Sequence, residues 1–419
     1  MTTHPPSTLS VAFTPFGVAD IPAGEGDRKL LVEAIQSIKA DDAVRADLSV
    51  VVREMLRHSA SVGRPFRTVS LKSGMRYRVD MRDHFGAHFS YGVLQEAADF
   101  NVFCRMVRPG MIVVDVGANF GLYTVQAAQL LGGAGKVYAF EPVPSTVALL
   151  KLNVAENTLA EIVRLEPQCV GDTVGTCDLG LTEEPSFSGV SDTGRSPVVE
   201  TIKVSCTTLD EYGPLKNTSV DLMKIDVEGA ELGVLKGAAA LIDRSTKLVI
   251  QLEVTPKNLT PEALAELMAW FTDRLRRGYA VWHGAGRAGP AAPVRDEAEL
   301  RAFLSDNFYV VRTGSQGETN LRLAVEAETR YRDTRRAENM STEDVLPPLL
   351  RTLRDHMREV RGHAHNGNGD PNAIVATFRD RARHAEAQDS RHLYVVDSRN
   401  LSSKLLRLFN HLVKRSDAR

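Results

Sequence analysis

The middle of the chain alternates between two hydrophobic patterns. From Met111 onward, short apolar runs rich in β-branched residues are separated by stretches in which apolar residues recur at helical spacing. The apolar runs occupy residues 111–116, 136–140, 161–167, 220–226 and 247–254. Continuous apolar strands that alternate with helices are typical of a mostly parallel sheet covered on both faces. The pattern therefore predicts an α/β fold.

The clearest predicted helix follows the last of these runs. Thr260 is placed to cap its N-terminus, Pro261 suits its first turn, and Gly278 ends it. Its apolar residues form one stripe, made of Leu264, Leu267, Met268, Phe271 and Leu275. Two further apolar runs, 279–283 and 307–312, predict two strands that close the sheet.

Both ends of the chain differ from this middle. Residues 66–79 predict a hairpin that turns at Ser73-Gly74. Residues 27–60 show helical spacing, and residues 1–26 are rich in Pro, Gly and Thr. After about residue 313 strand-like runs become rare, and residues 401–415 predict an amphipathic helix with a basic face.

These changes divide the chain into three predicted regions. They are a loose segment with helices at 1–64, the α/β domain at 65–313, and a helical C-terminal extension at 314–419. Three roles stay open for the last helix: packing on the chain's own core, a subunit contact, or peripheral contact with an anionic membrane surface. The sequence does not determine the oligomeric state.

Composition limits the class of protein. The 419 residues are 43% hydrophobic, which is enough for a sizeable core, and the net charge of −2 argues against broad nucleic-acid binding. The four cysteines are scattered without a CxxC pair, which fits reduced thiols in the cytoplasm and argues against a zinc site. No apolar run has membrane-spanning length, and the N-terminus lacks a signal-peptide pattern, so we expect neither element.

The stretch VVDVGANFG, residues 113–121, predicts a strand that breaks into a glycine-rich turn. Ligands of open parallel sheets bind beyond the carboxyl ends of the strands, so this turn is the expected binding site. Gly117 and Gly121 let a ligand approach the backbone, and Asn119 between them tolerates left-handed geometry. Glu141 ends the next strand, where a carboxylate accepts hydrogen bonds from both hydroxyls of a ribose.

Two cofactor classes share this outline, and the spacing favours one of them. A dinucleotide fingerprint GxGxxG that starts at Gly117 requires glycines where Asn119 and Leu122 stand. Asp115 is also unfavourable beside a pyrophosphate, whereas it suits the ammonium of S-adenosylmethionine, directly or through water. The acid, the two glycines and Glu141 together therefore predict S-adenosylmethionine rather than NAD.

With these motifs the chain resembles the FkbM family of S-adenosylmethionine-dependent methyltransferases. The resemblance begins with Tyr91 and Glu96, runs to Val254 and continues more weakly to about residue 312. Its motifs are VRPGMIVVDVGANFGLYT (107–124), YAFEP (138–142), CVGD (169–172), TTLDEY (207–212) and VDLMKIDVEGAELGVLKGA (220–238). It implies a Rossmann-like, seven-stranded class I methyltransferase sheet. It also implies that Asp172, at the end of the third strand, contacts the adenine amine.

The resemblance further implies methyl transfer to a hydroxyl, often on a sugar, glycolipid or polyketide. Asp226 then lies at the tip of the fourth core strand beside the cofactor's methyl end, and Glu253 at the tip of the neighbouring strand. These two carboxylates are the predicted catalytic residues, either as base and orienter or as ligands of a divalent cation that acidifies the hydroxyl. Glu228 and Glu231 have a simpler interpretation as acids that favour a helix N-terminus.

Several alternatives stay open. His84 and His88 are candidates for a general base on a lid over the pocket, or for ordinary structural residues. Lys224 either pairs with a carboxylate or touches the acceptor, and the polar loop at 185–197 either gates the substrate or is passive.

The leading hypothesis for function is an O-methyltransferase that acts on a saccharide or other secondary-metabolite hydroxyl. A different small-molecule acceptor and a cofactor-binding scaffold without turnover are the alternatives. A nucleic-acid amino methyltransferase is disfavoured, because KIDVEG (224–229) stands where that class has an Asn-Pro-Pro-Tyr-like motif.

Overall fold

The computed structural model describes residues 66–71, 74–80, 82–83, 85–86, 89, 96–190, 194, 196–284, 291–302 and 307–338. Its strands are β1 (Phe66–Ser70), β2 (Arg76–Asp80), β3 (Ile112–Val116), β4 (Lys136–Phe140), β5 (Val163–Glu166), β6 (Cys169–Val170), β7 (Gly175–Thr182), β8 (Val198–Thr207), β9 (Leu222–Ile225), β10 (Val249–Glu253), β11 (Tyr279–His283), β12 (Ala292–Pro293) and β13 (Asn307–Arg312). Its helices are α1 (Ala97–Met106), α2 (Leu122–Leu131), α3 (Pro144–Glu156), α4 (Glu231–Lys236), α5 (Ala239–Arg244), α6 (Pro261–Arg276), α7 (Glu297–Ala302) and α8 (Gln316–Glu338). Short 3₁₀ turns lie at Pro185–Phe187 and Pro256–Asn258.

The central sheet has eight strands in the order β12-β11-β13-β10-β9-β3-β4-β5. Neighbours from β10 to β5 are parallel, whereas β13 is antiparallel to both β10 and β11. Without the two-residue edge strand β12, the sheet has the predicted seven strands and a Rossmann-like arrangement. The α/β fold class is therefore confirmed. The chain order of the strands reverses between β3 and β9, which is where such a sheet opens a crevice.

The strands at the centre of the sheet are apolar on both faces because both faces are covered. Val113 and Val114 point to opposite faces of β3, and each has 0% of its surface exposed. On one face, Val114 packs in a core cluster with Met223 of β9, Ile250 of β10 and Phe271 of α6. Continuous apolar runs in the sequence thus correspond to strands that are buried from two sides.

Helix α6 has the predicted beginning and end. Oγ1 of Thr260 accepts a hydrogen bond from the N–H of Ala263 at 3.2 Å, and Pro261 occupies the first turn. Gly278, with φ of 80°, follows the last turn. The buried side chains of the stripe are Leu267, Met268 and Phe271, and its partly buried ones are Leu264 and Leu275.

The N-terminal hairpin is held on α3 by side-chain amides. β1 and β2 pair antiparallel along their length, as predicted. The N–H of Arg78 donates to Oδ1 of Asn153 at 2.6 Å, and Nδ2 of Asn153 donates to the carbonyl of Arg78 at 3.0 Å. Asn157 makes the same two bonds with Arg76, at 2.8 and 2.6 Å. Each side-chain amide therefore pairs with the N–H and the carbonyl of one β2 residue, as the backbone of a neighbouring strand would.

A separate three-stranded sheet, β6-β8-β7, corrects one prediction. The motif at 169–172 does not end the third strand of the central sheet, because that strand is β5 and stops at Glu166. Pro167 follows and has no N–H with which to continue the ladder. The chain then pairs with β8, where Cys169 lies opposite Cys206. Asp172 consequently lies beyond this small sheet and not at the tip of the third strand.

Helix α8 continues the fold past the last strand. Leu321 is fully buried, and Glu328 accepts hydrogen bonds from Nδ2 of Asn101 at 3.1 Å and from Nε of Arg105 at 3.3 Å. The compact unit that contains the central sheet reaches Thr334. The first turns of this helix thus belong with the sheet, although the composition changes near residue 313.

Some predictions concern other parts of the chain. Those for residues 1–64, for His84 and His88, for Tyr91 and for the basic helix at 401–415 lie outside the described residues. In the ranges given above, no helix has both the length and the apolar character needed to cross a membrane.

Candidate active site

A cavity of about 190 Å³ opens at the carboxyl ends of β3, β4, β9 and β10. It therefore lies where the strand order reverses, the usual ligand position in open α/β sheets. Five predicted site residues line it, namely Gly117, Asn119, Glu141, Asp226 and Glu253. Three others are absent from its lining, namely Asp115, Gly121 and Asp172.

The two glycines of the turn are required by packing. Both have left-handed backbones, with φ of 81° at Gly117 and 95° at Gly121. A Cβ at Gly117 would lie 1.7 Å from the carbonyl oxygen of Asp226, and a Cβ at Gly121 would lie 2.4 Å from Cδ1 of Leu150. The first glycine lets the tips of β3 and β9 meet, and the second lets α2 begin against α3. The sequence predicts that both serve the approach of a ligand, and of the two only Gly117 lines the cavity.

Asn119 and Glu141 join the glycine turn to the tip of β4. Asn119 has φ of 51°, the left-handed geometry for which its side chain was noted. Its N–H donates to Oε2 of Glu141 at 2.8 Å, and the N–H of Val143 donates to Oε1 at 2.9 Å. Burial raises the pKa of Glu141 to about 7, although these two N–H bonds oppose the rise. Each carboxylate oxygen keeps a lone pair for a further donor.

Asp115 is buried directly behind this turn. Its Oδ2 accepts a hydrogen bond from Oγ1 of Thr124 at 2.6 Å, while its Oδ1 is buried without a hydrogen-bond partner. Burial raises its pKa, and the ammonium of Lys224 and the bond from Thr124 oppose that rise. An unsatisfied buried carboxylate oxygen costs stability, so it marks a position where a donor is missing.

The tips of β9 and β10 bring together a lysine and two acids. Nζ of Lys224 donates to Oδ2 of Asp226 at 2.8 Å and lies 4.6 Å from the centre of the Tyr123 ring. Asp226 also shares a side-chain hydrogen bond with Glu253. Burial acts to lower the pKa of Lys224, but the charges of Asp226 and other nearby acids raise it above its ordinary value. The lysine therefore stays charged and pairs with a carboxylate, one of the two roles considered for it.

Glu253 and Glu96 complete this acidic end of the cavity. The charge of Asp226, followed by burial, raises the pKa of Glu253 well above its usual range. Glu96, directly before α1, also lines the cavity and hydrogen-bonds Asn307. In the sequence, Glu96 is recognisable only as part of the motif that begins the resemblance. The further signal is its position directly before a helix, because glutamate is not one of the usual N-terminal capping residues.

The 3₁₀ turn at Pro185–Phe187 forms another wall of the cavity. The N–H and Oγ of Ser186 donate to the two carboxylate oxygens of Asp83, at 3.0 and 2.7 Å. Oγ of Ser186 also accepts a bond from Nδ2 of Asn119 at 3.1 Å. The first residues of the predicted gating loop are thus fastened to the glycine turn, and we call Pro185–Phe187 the strap.

Asp172 is not brought to the site. It is exposed in the turn between β6 and β7, whereas Gln168, Cys169 and Val170 line the cavity on that side. Its predicted contact with adenine therefore has no support from its position.

Two further acids and the predicted cation can be placed. Glu231 begins α4 and accepts a bond from the N–H of Gly229 at 2.9 Å, as expected for an acid at a helix N-terminus. Glu228 lines the cavity and accepts a bond from Nδ2 of Asn258 at 2.6 Å. Within the described ranges, no group of three or more His, Cys, Asp or Glu side chains is arranged to hold a metal ion. The divalent cation raised from the sequence therefore lacks support.

Comparison with known proteins agrees with this geometry. The family model for the methyltransferase FkbM domain matches residues 115–281, which contain the glycine turn and the tips of β4, β9 and β10. We refer to this matched segment, residues 115–281, as the FkbM domain because of that similarity.

The relatives of this FkbM domain are also methyltransferases by name. Methyltransferase sdnD from Sordaria araneosa is 31% identical over 156 residues, covering 30% of this chain and 59% of the relative. Ribosomal RNA large subunit methyltransferase E from Alkalilimnicola ehrlichii is 36% identical over 87 residues, covering 20% of this chain and 41% of the relative. The chain spans less than two thirds of the length of either relative.

Among solved structures, TYW2 from P. horikoshii in complex with MeSAdo matches with 13% identity and a TM-score of 0.34. The match covers 68% of this chain and all of the other. The fold assignment rests on the strand order of the central sheet.

Proposed function

We propose that the FkbM domain binds S-adenosylmethionine and transfers its methyl group to a hydroxyl of a sugar, glycolipid or other secondary metabolite. The observation that carries the proposal is the convergence of Glu141, Asp226 and Glu253 on one cavity at the reversal of strand order. A carboxylate at the second strand tip suits a ribose, and carboxylates at the fourth and fifth tips suit a hydroxyl acceptor.

The residues present fit this cofactor. Oδ1 of Asp115 is a buried acceptor without a donor behind the turn, and a water between it and the cofactor's ammonium would supply one. Both oxygens of Glu141 have remaining acceptor capacity for the two ribose hydroxyls. The left-handed turn from Gly117 to Asn119 exposes backbone to the cavity without a Cβ at its first residue.

The proposed chemistry is mostly positioning. Bound S-adenosylmethionine supplies an electrophilic methyl group. Asp226 and Glu253 orient the acceptor oxygen toward it, and Lys224 holds Asp226 in place through its 2.8 Å bond. The strap excludes water from the same cavity.

Calorimetry with S-adenosylmethionine and with NAD, side by side, tests the cofactor. We expect binding of the first and none of the second, and weaker binding by the Glu141→Gln variant. Binding of NAD alone would contradict the proposal.

Release of S-adenosylhomocysteine in the presence of a panel of sugars, glycolipids and polyketide alcohols tests the reaction. We expect turnover with a hydroxyl acceptor, and the Asp226→Asn variant should bind the cofactor but lose turnover. Full activity of that variant would remove Asp226 from the catalytic residues. Tight cofactor binding without any turnover would favour the scaffold alternative.

Amines and RNA belong in the same panel. The absence of a nucleic-acid partner is still a prediction, and one relative is named as a ribosomal RNA methyltransferase. Methylation of RNA at a rate above that of every hydroxyl acceptor would overturn the proposed substrate class. A repeat of the assay in EDTA tests the cation, and we expect unchanged activity.

A further inference from the structure

Two acids in the cavity lining have no part in the proposed chemistry. Glu228 is one, and its carboxylate accepts a bond from Nδ2 of Asn258 at 2.6 Å. The other is Glu96. It lies directly before α1 and is half-buried, and its carboxyl reaches the cavity that Asp226 and Glu253 also line. The cavity thus receives an acid from a third element, on the side of the strand tips where the acceptor is expected.

Five described elements present polar or charged groups to Glu96. These groups are Asp99 of α1, Tyr123 of α2, Lys224 and Asp226 at β9, Glu253 of β10, and Asn307 and Tyr309 of β13. Asn307 hydrogen-bonds the carboxyl directly. The hydroxyl of Tyr309 donates to Oδ1 of Asp99 at 2.6 Å, so this neighbouring acid has a hydrogen-bond donor of its own. The position of Glu96 is therefore set by contacts from several elements.

The other two acids are less suited to accept a proton. Oδ2 of Asp226 already accepts the bond from Lys224, and Asp226 also bonds Glu253. The charge of Asp226, followed by burial, raises the pKa of Glu253 well above its usual range, which favours its protonated form as a hydrogen-bond donor. Burial, followed by the charge of Asp226, raises the pKa of Glu96 to about 7, while Lys224 and Asn307 oppose the rise. A base with this pKa is half ionised at neutral pH.

We propose that Glu96 accepts the hydroxyl proton during methyl transfer and that it gives up its own proton when a sulfonium cation binds in the cavity. This inference rests on the proposed function. A positive charge in the cavity favours the ionised carboxylate, so the base becomes ready only when the methyl donor is present.

The O–H bond of the acceptor breaks and its proton moves to a carboxylate oxygen of Glu96. The O–CH₃ bond forms as the S–CH₃ bond breaks, and the electron pair stays on sulfur. The positive charge is then gone, so Glu96 retains the proton until the products leave.

Proton release on binding tests this inference without an acceptor. The probes are S-adenosylmethionine and S-adenosylhomocysteine, which differ by the methyl group and the positive charge on sulfur. Calorimetric titrations at pH 7 in two buffers of different ionisation enthalpy measure the protons released by each. We expect S-adenosylmethionine to release about half a proton more than S-adenosylhomocysteine, because a group with a pKa near 7 is half protonated at this pH.

Three variants identify the source of that proton. Glu96→Gln should abolish the difference between the two ligands while its affinity for S-adenosylhomocysteine stays within about twofold, which also shows that it folds. Glu96→Asp should keep a measurable difference. Glu228→Gln is the matched control, since Glu228 also lines the cavity, and it should leave the difference unchanged.

Turnover supplies a second readout. With the acceptor found in the panel, Glu96→Gln should lower kcat by about 100-fold or more and remove the fall in rate below pH 7, and Glu96→Asp should restore part of the rate.

Two results would overturn the inference: equal proton release by both ligands in the wild-type protein, or an undiminished difference in Glu96→Gln. If neither ligand binds, the proposed function itself fails, so the two failures are distinguishable.

Discussion

Alanine at Gly117 would have two energetic costs, a left-handed backbone and a collision of its Cβ, and a comparison with alanine at Gly110 separates them. Gly117 and Gly110 both have left-handed backbones, with φ of 81° and 89°. A Cβ at Gly110 would meet nothing within 4 Å, whereas a Cβ at Gly117 would lie 1.7 Å from the carbonyl oxygen of Asp226. Gly110→Ala is therefore a matched control that has the backbone strain without the collision.

The magnitudes follow from these distances. Left-handed geometry costs alanine about 1–2 kcal/mol, so Gly110→Ala should lower Tm by roughly 5 °C. In Gly117→Ala the tips of β3 and β9 must also separate by on the order of 1–2 Å to reach normal contact. That movement acts against the bond from the N–H of Asp226 to the carbonyl of Val116, which is 3.0 Å long. We expect a total loss of about 3–5 kcal/mol.

Thermal unfolding and calorimetry with S-adenosylmethionine check this reasoning. Gly117→Ala should lower Tm by about 10 °C or more and weaken binding by at least about tenfold, because Asp226 moves with the strand tip. Gly110→Ala should bind like the wild-type protein. Equal Tm values and equal affinities for the two variants would refute the argument that close approach of β3 and β9 requires this glycine.

Three further predictions follow from the cavity walls. Lys224→Met should lower stability by roughly 2–3 kcal/mol in thermal denaturation, because Asp226 loses its charged donor, and an unchanged Tm would contradict the ion pair. Ser186→Ala should speed dissociation of S-adenosylmethionine in stopped-flow measurements. Ser188→Ala should speed it less, because Ser188 lines the same cavity but its hydroxyl bonds Thr182 at the end of β7; equal rates would contradict the fastening of the strap by Ser186. Burial raises the pKa of the Glu141 carboxyl to about 7 in the folded protein, from about 4.5 in the unfolded chain. The contribution of this group to the free energy of unfolding is therefore fully present below pH 4.5 and is lost as pH rises through about 7. Unfolding of Glu141→Gln should accordingly show a weaker fall of stability between pH 5 and pH 8, by up to about 3 kcal/mol, and an identical pH profile would contradict the burial of this carboxyl.

Local patterns in the sequence determined the strands, the helices and the positions of several site residues. The apolar runs, the Thr260 cap and the left-handed Asn119 depend on interactions within a few residues, which a short stretch of sequence contains. The acids at strand tips, Glu141, Asp226 and Glu253, were predictable for a similar reason. A residue that ends a parallel strand lies at the ligand-binding edge whatever the rest of the sheet looks like.

The tertiary structure alone decided which distant segments meet. It placed Glu96 opposite Asp226, fastened Ser186 to Asn119, and moved Asp172 away from the cavity by starting a separate sheet at Cys169. It also gave Gly117 and Gly121 their packing roles, since each faces an atom far along the chain. Such contacts depend on the pairing and packing of whole elements, which no local periodicity encodes, and the proposed chemistry depends on them.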